Sequence, residues 1–78
     1  MIYLPTKEEL KELSFTKKRD TGIYEIKIDK DTFVLFDFEI ERDHKFYAIQ
    51  GDDEILLDFE DKEEVLLYIK TLKWLKKS

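Results

Sequence analysis

Seventy-eight residues with no cysteine and a net charge of −5 describe one small domain, 1–78, that holds no disulfide and offers no thiolate to a metal or a substrate. A chain of this size buries only about 60% of its unfolded surface, so the core has to be dense, and six Phe, four Tyr and one Trp supply the bulk. No apolar run approaches a membrane span, and the N-terminal MIYLPTKEELK lacks both a basic start and a long apolar stretch, which predicts a soluble, cytoplasmic protein without a signal peptide.

The first four residues, MIYL, read as a short extended arm. Thr6 followed by Glu9 is a capping box, and Leu10 and Leu13 give the apolar side of a short helix over about 6–13. Phe15 anchors the helix exit. The Lys17-Lys18-Arg19 run reads as a solvated turn, too short to bind nucleic acid, and Asp20-Thr21-Gly22 as a turn. This segment is either a loop or a short strand at Phe15–Lys18 pairing back on the next one.

Ile23–Ile28 alternates as a strand, with Tyr24, Ile26 and Ile28 on one face. A second strand is expected over Thr32–Glu41, with Val34, Phe36, Phe38 and Ile40 inward. For both inner faces to meet one core, paired residue numbers must sum to an even value. That favours a three- or five-residue turn around Asp29-Lys30-Asp31 over a two-residue Lys30-Asp31 turn. With a turn at Arg42–Lys45, the third strand, Phe46–Gln50, points Tyr47 and Ile49 inward. A three-residue turn, Gly51-Asp52-Asp53, then sets Ile55 and Leu57 of the fourth strand, Glu54–Phe59, opposite them.

Asp61–Lys77 has the clearest helical period in the chain. Asp61 and Glu64 form a capping box. Glu63 and Glu64 suit the positive end of the helix dipole, and Lys73, Lys76 and Lys77 the negative end. Val65, Tyr68, Ile69, Leu72 and Leu75 make the core stripe. The expected fold is therefore α+β: a two-layer, four-stranded antiparallel meander in the order α-β-β-β-β-α, with the short fifth strand left open.

Chemistry finds little support. His44 is the only histidine and falls in a turn beside Asp43, and the serines are Ser14 and Ser78. There is no phosphate-binding glycine loop, and Asp52, Asp53 and Glu54 lack the spacing of a calcium loop. The chain is read as a non-enzyme, with no catalytic, cofactor-binding or metal residues and no cofactor. A small metal-dependent enzyme is a distant third reading.

Two surfaces stand out. The expected outer sheet face carries Ile23, Phe33, Leu35, Phe46, Ala48 and Leu56, more apolar residues than a solvated face needs. The last helix leaves Leu67 and Trp74 opposite its core stripe, with Lys70 beside them. The leading expectation is a small protein-interaction module, self-associating or binding another protein, with Leu67, Trp74, Lys70, Phe33, Leu35, Phe46 and Leu56 as candidate interface residues. The rival is an acidic inhibitor that mimics nucleic-acid phosphates and blocks a basic cleft. Its candidate face is Asp37, Glu39, Glu41, Asp52, Asp53 and Glu54, because strand carboxylates recur about every 6–7 Å, near phosphate spacing. Residues 31–64 carry a net charge of −10, which opposes direct nucleic-acid binding. Twelve lysines to two arginines, no asparagine and one glutamine match a thermophile or a designed sequence.

Overall fold

The computed structural model describes residues 2–77; Met1 and Ser78 lie outside the described residues. The elements are α1 (Lys7–Glu12), β1 (Thr16–Lys17), β2 (Ile23–Asp29), β3 (Thr32–Asp37), β4 (Phe46–Gln50), β5 (Asp53–Leu57) and α2 (Lys62–Lys77). All neighbours pair antiparallel in one sheet of order β1-β2-β3-β4-β5. This is the α+β meander with a short first helix and a long last one, and the segment after Phe15 supplies the fifth strand.

Local chemistry sets both ends of α1. The Thr6 hydroxyl accepts from the Glu9 N–H at 3.2 Å, and the Glu9 carboxylate accepts from the Thr6 N–H at 3.0 Å. At the exit Ser14 adopts φ 73°. Its N–H donates to the Lys11 carbonyl at 3.0 Å, and the Phe15 N–H donates to the Leu10 carbonyl at 2.9 Å. These two bonds are a Schellman stop, and the buried Leu10 and Phe15 are its apolar pair.

The strand registers correct the expected turns. β2 and β3 pair with an even sum, Tyr24 with Phe36 and Ile26 with Val34. The turn is nonetheless the two-residue Lys30-Asp31, because a bulge between Lys27 and Asp29 restores the parity. β3 ends at Asp37 instead of continuing to Glu41. The connection to β4 is longer than the expected Arg42–Lys45 turn, and it places Phe46 opposite Phe36 and Ala48 opposite Val34. Phe46 and Ala48 therefore face the core, and Tyr47 and Ile49 face outward, the reverse of the expectation. The β4–β5 turn is two residues, Gly51-Asp52, which turns β5 back so that Ile55 faces the helix side, opposite Ala48. Gly51 takes φ 61°, the left-handed conformation this turn requires.

Phe46 sits at the centre of an aromatic cluster. Its ring centroid lies 4.7 Å from Phe36 and 5.0 Å from Phe59, and 6.3 Å from both Phe15 and Tyr3. α2 closes the layer with Val65, Ile69 and Leu72, all buried. The Asp61 carboxylate accepts from the Glu64 N–H at 3.0 Å, as expected of an N-cap, but the Glu64 carboxylate accepts from the Glu60 N–H and not from Asp61. Lys62 pairs with Glu12 at one end of α2, and Lys76 lies 3.7 Å from Asp29 at the other. α2 thus runs beside β2. Five strands about 4.8 Å apart make a sheet roughly 20 Å wide, and a helix roughly 10 Å across covers about two of them. The β5 side is left the least covered. Leu75, expected on the core stripe, is 53% exposed. No described helix is long and apolar enough to cross a membrane.

Candidate interaction surface

The outer sheet face covers itself. Leu35 is flanked by Glu25 and Tyr47 in the register and is 3% exposed. The Arg42 guanidinium lies 5.5 Å from the centroid of the Tyr47 ring, donates through Nε to the His44 carbonyl at 2.7 Å, and reaches Glu54 at 3.3 Å. Burial beneath this lid pushes the Tyr47 hydroxyl pKa up, helped by Asp37 and Glu54. Phe33 and Ile49 are half-buried. Of the four sheet residues expected at an interface, Leu35 is covered, Phe33 is half-covered and Phe46 is in the core. Leu56 alone is open, at 50%. Tyr47 and Arg42 were not legible in the sequence as the covering pair. The only available signal was an aromatic and a cation near one hairpin.

The helix residues behave differently. Leu67 is 66% exposed and Trp74 is 68% exposed. Leu67 lines an open groove of about 310 Å³ with Asp58, Phe59, Glu64, Tyr68 and Thr71. Phe59 is its buried wall, with its ring 5.6 Å from that of Tyr68. Burial raises the Tyr68 hydroxyl pKa as well. At 100° per residue Tyr68, Leu75 and Thr71 lie on the flank beside the core stripe of α2, and Leu67 and Trp74 carry that strip on to the face opposite it. Leu67 and Trp74 therefore belong to a continuous strip that starts at the groove. Lys70, exposed, borders that strip on the solvent side. The groove itself was not legible as a site, since Phe59 and Tyr68 read simply as core.

β5 continues directly into the groove wall at Asp58 and Phe59. Its helix-side residue Ile55 is 40% exposed. Its register with β4 is regular, and its other edge is unpaired among the described residues. The opposite edge of the sheet, β1, is two residues long and flanked by lysine.

The acidic residues do not form the expected row. Asp37 ends β3, with its carboxylate accepting from the Glu39 N–H at 2.9 Å, and Glu39 and Glu41 lie in the connection beyond the strand. Asp52 is in the β4–β5 turn, and Asp53 and Glu54 open β5. Among the described residues no group of three or more His, Cys, Asp or Glu is arranged to hold a metal. His44 Nδ1 meets the Asp58 carboxylate, linking the β3–β4 connection to the end of β5.

No family model matches the chain, and no curated protein and no solved structure matches it either.

Proposed function

We propose that the protein is a small, non-enzymatic protein-interaction module that works through the β5 edge and the adjoining flank of α2. One observation carries this reading. The large apolar side chains that folding leaves open outside the N-terminal arm are Ile55, Leu56, Leu67, Trp74 and Leu75, on the two elements that border the groove. Exposed aromatic and aliphatic residues concentrated on two adjoining elements mark a contact site more than a solvated surface. The phosphate-mimic reading depended on strand-spaced carboxylates at Asp37, Glu39 and Glu41, and only Asp37 lies in a strand.

The test is affinity selection from a random peptide library, with the folded chain as bait. Wild type enriches a shared sequence pattern, and the folded Leu67→Glu, Trp74→Glu double variant loses it. A wild-type bait that enriches nothing overturns the reading.

A further inference from the structure

We infer that β5 is a docking edge for an extended segment of another protein, in which basic and apolar residues alternate. This rests on the interaction-module reading and adds the mode of recognition and the chemistry of the occupant.

The first support is the edge itself. Sheets guard their edges with charged side chains (lysine above all), proline, bulges or a covering element. β5 reads Asp53-Glu54-Ile55-Leu56-Leu57 and pairs with β4 without a register shift. It lacks lysine, proline and a bulge, its only charges are the acids Asp53 and Glu54, and the N-terminal arm bonds only past its end, where the Tyr3 N–H donates to the Phe59 carbonyl at 2.7 Å, while β1 is too short to accept a strand. An added strand bonds to the free edge through its main chain, and its side chains alternate between the two faces of the sheet. On the helix side they meet Ile55 and, past the end of β5, the groove wall at Asp58 and Phe59. On the outer side they meet Glu54 and Leu56.

The second support is charge, and it selects the occupant. Residues 52–64 hold eight carboxylates and one lysine, and that lysine, Lys62, is paired with Glu12. Basic residues on the outer side of the added strand meet the turn acids and Glu54, whose carboxylate also holds Arg42 at 3.3 Å, and apolar residues on the helix side lie along Ile55. A second copy of this chain fits poorly. Pairing β5 with itself about Ile55 sets Asp52 opposite Asp58, and pairing about Leu56 sets Glu54 opposite Asp58. Like charges directly opposite each other destabilise a strand pair.

The experiment titrates the full chain by calorimetry with a short capped peptide that alternates lysine with valine. Its controls are a peptide of the same composition with the lysines in one block, one with glutamate in place of lysine, and one N-methylated on the backbone edge that would face β5. The alternating lysine peptide binds at about 100 μM or tighter, and less tightly as salt is raised. The blocked and N-methylated peptides bind at least about tenfold more weakly, and the glutamate peptide does not bind. Ile55→Lys, checked for folding by circular dichroism, weakens binding as well. Equal binding of the blocked or N-methylated peptide overturns the inference, as does absence of binding. A dimer seen by sedimentation and abolished by Ile55→Lys assigns the edge to a second copy and overturns it too. If the peptide library enriches a different pattern at the same surface, this inference fails and the module reading stands.

Discussion

Phe46 lies where four aromatic rings converge on the floor of the core. Phe46→Ala should cost about 3–5 kcal/mol, measured by denaturant unfolding, and a loss below about 1 kcal/mol would place its ring outside the core. Ser14 holds a left-handed conformation that glycine adopts without strain. Ser14→Gly should raise stability by about 1 kcal/mol, and a fall would show that the Schellman stop depends on the serine side chain. The Glu9 carboxyl is held below its ordinary range, first by the Thr6 N–H and then by the Tyr3 hydroxyl. A carboxyl lowered in the folded state stabilises above its unfolded pKa, and that stability is lost as pH falls through the folded value. The melting midpoint should therefore drop below about pH 4.3, and Glu9→Gln should show a shallower drop. Identical profiles for the two proteins would contradict that role.

Among the elements, β4 shows what a hydrophobic pattern leaves open. Phe46 and Ala48 alternate with Tyr47 and Ile49, so both faces are apolar and the pattern does not choose between them. Loop parity chooses, and the end of β3 at Asp37 was not legible in Val34–Ile40, which alternates past it. The Gly51-Asp52 turn then reverses the slip, which is why β5 keeps its expected facing. The capping boxes and the core stripe of α2 were legible because caps and helical period are local. The groove was not, because it depends on how many strands one helix covers. Gly51 has no heavy atom within 4 Å of an added Cβ and a φ of +61°. Gly51→Ala should thus cost about 1 kcal/mol from backbone strain alone. Leu67→Ala and Trp74→Ala should each change stability by less than about 0.5 kcal/mol, since neither closes the core. A larger loss at either position would make the α2 flank structural.

At the scale of the whole molecule, the α1 and α2 layer is narrower than the sheet it covers, and the uncovered margin coincides with the acidic stretch from the β4–β5 turn to the start of α2. The ion pairs at the surface contribute little singly, so stability rests on the aromatic core and the caps. The lysine-rich, asparagine-free composition predicts a melting temperature above about 80 °C, and a midpoint near 50 °C would contradict it. The working surface proposed for the protein is the β5 edge with the α2 flank, and not the outer sheet face. It is tested most directly by amide and indole chemical-shift mapping of the uniformly labelled chain, titrated with the alternating lysine–valine peptide. The largest shifts are expected at Glu54, Ile55, Leu56, Leu67 and the Trp74 indole, with Phe33, Leu35 and Ile49 unmoved. Shifts centred on Phe33, Leu35 and Ile49 would contradict it.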